Sequence, residues 1–218
     1  MMNVSRKPFS LACLLLAASL CQPPLAAAGA YEDLRSAVEN DQISDIAKLL
    51  TQGADPNTPD ERGNTLLMVA VRHKNAKLVD LLIDAGAKLN LRNKYGETAI
   101  MLASYNGLYN IVEKLYIKGA EINHPGWNPL LYAATGGHPK IVQLLLDGGA
   151  PINATSDNGT TALMMAARGN HSDTVKVLLK NGADPNISNE LGGTALKWAV
   201  ARQHHNTAEL LKNSGAKQ

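Results

Sequence analysis

The chain has 218 residues, with 21 Lys and Arg against 19 Asp and Glu and a formal net charge of +2. A near-neutral chain without a basic run lacks the electrostatic footprint that nucleic acid or an anionic membrane surface demands. Its two cysteines, Cys13 and Cys21, both lie near the N-terminus, so the rest of the chain can hold no disulfide, thiolate nucleophile or cysteine–zinc site.

The first segment is a targeting signal by composition. Arg6 and Lys7 precede the apolar run "LACLLLAASL" (11–20), and Pro23-Pro24 and "LAAAGA" follow. A basic start, a short apolar centre and small residues spaced for cleavage describe a secretory signal peptide. The apolar run is half of the ~20 residues a membrane span needs. We expect residues 1–28 to be removed by cleavage after Ala28, with Ala30 the second choice. The short run argues against an uncleaved anchor. Leu20 argues against a lipoprotein, because a small residue should precede Cys21. Cleavage removes both cysteines and Phe9, the one phenylalanine, and leaves 19 basic against 19 acidic residues. The expected location is the periplasm or the medium, with no membrane association after cleavage.

From Tyr31 onward the chain repeats itself. Aliphatic runs end abruptly in glycine at "LLTQGADPN", "LLIDAGAKLN", "LYIKGAEIN", "LLLDGGAPIN", "LLKNGADPN" and "LLKNSGA". The Gly-Ala pairs begin at Gly53, Gly86, Gly119, Gly149, Gly182 and Gly215, so their separations are 33, 33, 30, 33 and 33 residues. A fixed period of this length marks a repeat architecture. We divide the chain into a half unit (31–58) and units 59–91, 92–124, 125–154, 155–187 and 188–218, together one repeat domain over 29–218.

Each unit carries the same signals in the same order. In unit 59–91 the pattern predicts a short helix opening at Thr65 and ending near His73. An amphipathic helix follows, with Val79 and Leu82 on one face and Gly86 as its cap. Equivalent pairs are Ile46/Leu49, Val112/Leu115, Val142/Leu145, Val175/Leu178 and Ala208/Leu211. Pro139 suits the first turn of its helix, where a missing N–H costs nothing. Between units, "NTPDERGN", "NLRNKYGE" and "NATSDNGT" are polar and turn-rich, as exposed hairpin loops are. Such a unit cannot bury enough apolar surface alone, so its stability must come from stacking on its neighbours.

The octets "GNTLLMVA", "GETAIMLA", "GWNPLLYA", "GTTALMMA" and "GGTALKWA", with the stretch "GHPKIVQLLLDGGAPIN", resemble the ankyrin-repeat pattern. The resemblance implies an all-α solenoid of helix-turn-helix units with hairpin loops, covering Tyr31 to the C-terminus. The chain departs from the pattern in two places. The family's histidine in the first helix is here Met68, Met101, Leu131, Met164 or Lys197, so apolar packing is expected to replace its hydrogen bonds. The interval from Gly119 to Gly126 is three residues shorter than that from Gly86 to Gly96, so the hairpin "EINHPGWNP" is truncated.

No motif in the chain signals chemistry. His138, His171 and His204 recur at one place in successive units, which argues for a structural turn role and against metal binding. His204-His205 has no further ligand at helical spacing. Gly136-Gly137 lies between two helices, not after a strand, and cannot act as a phosphate cradle. No nucleophile elbow, phosphate loop or zinc-protease motif occurs. We therefore expect no enzyme activity, cofactor or metal.

What remains is a binding surface. The resemblance implies that hairpin tips and the exposed side of each first helix line a concave face for a partner protein. It places there Glu61, Arg62, Asn64, Arg72 and His73, then Lys94, Tyr95, Glu97, Tyr105 and Asn106. Trp127 and Thr135 follow, then Asp157, Asn158, Thr160 and Arg168, and finally Glu190, Leu191 and Arg202. The strongest candidates are Tyr95, Tyr105, Trp127, Arg168, Arg72, Lys94, Asn106 and Arg202, because Trp, Tyr and Arg dominate binding hot spots. Trp127, expected between Tyr95 and Tyr105 on one side and Arg168 on the other, either anchors a partner or covers the gap left by the short hairpin. Trp198 is expected to be core packing against the C-terminal cap, and Tyr109 and Tyr116 inter-unit packing. The expectation is a monomeric, exported interaction scaffold. An inhibitor or immunity protein and a secreted effector are the alternatives. Sequons at Asn153, Asn158, Asn170 and Asn186 favour a bacterial over a eukaryotic secretory route.

Overall fold

The computed structural model describes residues 32–38, 40 and 42–217; the expected signal peptide lies outside them. Among the described residues twelve helices follow one another. The first, α1, covers 32–38, followed by α2 (Ile43–Thr51), α3 (Leu66–Arg72), α4 (Ala76–Asp84), α5 (Ala99–Tyr105) and α6 (Tyr109–Ile117). Then come α7 (Pro129–Gly136), α8 (Pro139–Asp147), α9 (Ala162–Arg168), α10 (Ser172–Lys180), α11 (Ala195–Ala201) and α12 (His205–Asn213). Among the described residues the only β-pairing is an isolated bridge between Thr155 and Thr161. The all-α repeat solenoid expected from the sequence is the observed fold.

Helices of seven to nine residues are too short to persist alone in water, where about 12–15 residues are marginal. Packing makes up the difference. The first helices α3, α5, α7, α9 and α11 stack as one layer and the second helices α6, α8, α10 and α12 as another. Leu67, Val71, Ile100, Leu131, Leu163 and Leu196 are buried from the first layer, and Val79, Val112, Val142 and Val175 from the second, in one continuous core.

The helix ends explain the punctuation. Each first helix from α3 on opens on a side chain that accepts an orphan backbone N–H. Thr65 accepts from Met68 N, Thr98 from Met101 N, Asn128 from Leu131 N, Thr161 from Met164 N and Thr194 from Lys197 N, at 3.1–3.4 Å. Each second helix ends on a glycine with φ between 84° and 94°. A Cβ there would meet nothing within 4 Å, so backbone conformation alone selects glycine. The following alanine N–H bonds the carbonyl five residues back, as Ala87 does to Leu82 (2.9 Å) and Ala150 to Leu145 (2.9 Å), which closes a Schellman turn.

The expectation of purely apolar substitutes for the absent histidine needs correction at two of five sites. The Met101 thioether accepts the Thr98 N–H (3.2 Å) and completes a reciprocal cap. Lys197 is exposed and donates to the Gly192 carbonyl (3.0 Å). Met68, Leu131 and Met164 are buried apolar residues, as expected.

Side chains also stitch the units together. Oδ1 of Asn57, Asn90, Asn153 and Asn186 accepts the backbone N–H of Lys88 (2.7 Å), Glu121 (2.9 Å), Asp184 (3.0 Å) and Lys217 (2.9 Å), one unit on. Asn123 faces Pro151 at the equivalent place, which has no N–H to give, and its Nδ2 donates to the Gly149 carbonyl instead (3.1 Å). The three periodic histidines do more than turn the chain. A ring N–H of His138, His171 and His204 donates to the carbonyl of Tyr105 (2.9 Å), Thr135 (3.1 Å) and Ala167 (3.0 Å), each in the preceding unit.

Candidate functional site

Three of the hairpins, here called fingers, open on a side chain whose one oxygen accepts two backbone N–H groups of the same finger. Asp60 Oδ1 accepts from Arg62 N (2.8 Å) and Asn64 N (2.7 Å). Asn93 Oδ1 accepts from Tyr95 N and Glu97 N, both at 2.9 Å. Asn189 Oδ1 accepts from Leu191 N (3.1 Å) and Gly193 N (2.8 Å). Burial alone would raise the Asp60 pKa, but hydrogen bonds from Asn64 and the backbone outweigh it and hold the carboxyl below its usual value. Adjacent fingers bond through the backbone, Lys94 N to Arg62 O (3.0 Å) and Glu190 N to Asn158 O (3.1 Å).

This frame corrects two assignments. Asn64 and Thr160 are buried, since Asn64 Oδ1 accepts from Asn93 Nδ2 (3.0 Å) and Thr160 N donates to Ser156 Oγ (3.2 Å). Both are finger scaffold and not binding surface. The eight strongest candidates are all exposed. Lys94 and Tyr95 stand on one fingertip, and Arg72, Tyr105 and Arg168 end their first helices. Asn106 Nδ2 caps the Leu102 carbonyl (2.7 Å), and Arg202 follows α11.

The structure brings some candidates together around a residue that the sequence reading passed over. Tyr132, on α7 and half-buried, meets Tyr105 edge-on (6.4 Å between ring centres, 80° between planes) and Trp127 likewise (5.6 Å, 78°). Its hydroxyl donates to Glu97 Oε1 (3.1 Å), while Glu97 Oε2 accepts from Asn93 Nδ2 (2.8 Å). Burial first, then the Glu97 charge and hydrogen bond, push the Tyr132 phenol well above its usual pKa, so it stays a neutral donor. Trp127 keeps 39% of its surface exposed, Tyr105 50% and Tyr95 72%. The rings are thus held by a bond chain crossing two units, yet remain open to solvent.

Arg168, expected beside Trp127, makes its ring contact in the sixth unit. Its guanidinium lies over the ring of Trp198 (5.8 Å to the centre), a cation–π contact. Trp198 is half-buried and packs against the core as expected, but its ring also reaches Gly193 on the finger side of α11. One signal could have located both rings. When "GWNPLLYA" and "GGTALKWA" are aligned, Tyr132 and Trp198 fall at the same position.

The short finger is partly filled from its neighbour. A Cβ on Gly126 would come within 2.7 Å of Asp157 Oδ1, so the fifth unit's fingertip reaches over it. His124 in this finger is pushed below its usual pKa by partial burial and then by the nearby Arg92 charge, although a bond to the Pro125 carbonyl and the Glu121 charge oppose it. Of the two tyrosines expected in inter-unit packing, Tyr116 reaches the Gly148 carbonyl of the next unit (3.5 Å), whereas Tyr109 bonds Glu113 on its own helix (3.4 Å). Among the described residues no group of three or more His, Cys, Asp or Glu is placed to hold a metal ion. No described helix is long and apolar enough to cross a membrane.

Comparison with protein families matches residues 34–126 and 130–218 to ankyrin repeats (3 copies), and residues 108–146 to ankyrin repeats (many copies). A comparison with curated proteins finds no match.

Proposed function

Because the chain belongs to the ankyrin-repeat family, whose members generally bind other proteins and are typically non-catalytic scaffolds, we propose that this protein is exported and grips a partner protein on its concave face. The observation that carries the reading is the Trp127–Tyr132–Tyr105 cluster. Large rings that are already immobilised lose little side-chain entropy on binding, and solvent-facing Trp and Tyr are the usual anchors of protein interfaces. Export rests on the composition of residues 1–28. No step of bond making is assigned to any residue.

The test uses the partner captured by the immobilised protein and identified by mass spectrometry. Trp127→Ala lowers its affinity by about 2 kcal/mol or more in calorimetry, and lowers stability in denaturant melts by under about 1 kcal/mol. A large stability loss with unchanged affinity would make Trp127 a cover over the short finger. For export, the intact mass of periplasmic protein lacks residues 1–28 and contains no thiol, and Tm does not move with reductant. Recovery of full-length or lipid-modified chain would overturn it.

A further inference from the structure

The layer of second helices holds a second surface, between α6 and α8. Side chains cross-link its helices at three seams. Lys114 pairs with Asp80 between α4 and α6, Asn181 Nδ2 donates to Gln143 Oε1 (3.0 Å) between α8 and α10, and the Ser172 and Thr207 hydroxyls meet at 3.0 Å between α10 and α12. Between α6 and α8, no side chain of one helix bonds a side chain of the other among the described residues. A groove of about 800 Å³ lies there instead.

Its walls are two facing helical stripes, with Tyr109, Glu113, Tyr116 and Ile117 on one side and Lys140, Leu144 and Asp147 among those on the other. Residues at i, i+4, i+7 and i+8 share a helix face, so each helix presents one continuous edge to the groove. Gly148 is what lets the wall form. Its φ of −76° suits any residue, but a Cβ would come within 2.9 Å of the Tyr116 ring, so that ring lies where another side chain would be. Ile117 leaves 73% of its surface in water, an unusual position for an aliphatic residue on a helix. Two carboxylates face one ammonium here, and both carboxylates act on the Tyr109 phenol, which is raised first by desolvation and then by Glu113 and Asp147. The nine residues of α6 run for ~13 Å, the length of about four extended residues.

We propose that this groove docks a short basic segment of a partner protein, an arginine or lysine flanked by aliphatic residues. The cation sits between Glu113 and Asp147 against the tyrosine rings, and the aliphatic neighbours cover Ile117 and Leu144. Aromatic faces and carboxylates together suit a guanidinium, which stacks and pairs at once. The attraction is local, because the whole chain carries a formal charge of +2 and does not draw cations as a body.

The probe is a fluorescein-labelled peptide alternating leucine and arginine, with a counterpart bearing glutamate for arginine, titrated into the purified protein by fluorescence polarisation. The arginine peptide binds and the glutamate peptide does not. Glu113→Gln with Asp147→Asn weakens binding about tenfold or more, Ile117→Ser weakens it severalfold, and Trp127→Ala leaves it unchanged. That last arm separates this groove from the concave face. Equal binding of both peptides, no binding of either, or loss in Trp127→Ala alone would overturn the proposal. So would a dimer broken by Ile117→Lys in a protein that ignores the peptide, since the groove would then hold a second copy of the chain.

Discussion

Asp60 and Asn64 at one finger, and Asn93 and Glu97 at the next, make the same amide–carboxylate bond with the roles exchanged. In both, the opening residue also gathers two backbone N–H groups, so the role the two positions share is that of an oxygen acceptor, to which Asp60 adds a charge. Asp60→Asn keeps that acceptor but sets its amide against the Asn64 amide, which we expect to cost about 1 kcal/mol at neutral pH. The depressed Asp60 pKa fixes the sign of the pH dependence. Unfolded chains bind its proton first, so its contribution is complete above the ordinary value of 3.8 and is lost as pH falls through the lower folded value. The gap between wild type and Asp60→Asn in urea melts therefore closes below about pH 4. A gap that stayed constant down to pH 2 would show that the charge plays no part.

Within each unit, the turn from first to second helix needs one left-handed residue. Gly107 and Gly137 supply it in two units, but Lys74, Asn170 and Gln203 do so at φ of 57–61°. Asn170 is tied in through its side chain, which accepts from the Thr207 hydroxyl (2.9 Å). Lys74 is exposed and carries the strain without an evident return. Lys74→Gly is expected to raise stability by about 0.5–1 kcal/mol while Lys74→Ala does not, as read from denaturant midpoints. Equal effects of the two substitutions would place the cause in the lysine side chain instead of the backbone.

At the scale of the whole molecule, each unit is held to the next by core contact, an asparagine bond and, in the C-terminal half, a histidine bond. The regular pattern falters around the fourth unit. Its finger is three residues short, Pro151 redirects one asparagine bond to the Gly149 carbonyl, and the groove opens between α6 and α8. Val142 lies fully buried in α8, next to this region. Val142→Pro is expected to cost about 3 kcal/mol or more and to separate the melting of the units on either side. Hydrogen exchange would then find α9–α12 protected after α3–α6 have opened, or the reverse. A single unchanged cooperative transition would count against a nearest-neighbour array.

The period, the glycine ends, the threonine and asparagine caps and the polar fingers are local. Each depends on a few consecutive residues and their φ preferences, so the sequence alone determined the repeat fold. It also placed Tyr95, Tyr105 and Trp127 on the finger side. The partners of side chains lying about 33 residues apart were decided only by the stack, because the rotation and rise from unit to unit follow from summed core packing and not from any short pattern. Hence Tyr132 joins Trp127 to Tyr105, Arg168 turns to Trp198, Asn64 and Thr160 sink into the fingers, and the histidines bond backward to the preceding unit. The α6–α8 groove belongs to the same class, since it exists only where two helices thirty residues apart leave room that no residue of either could announce.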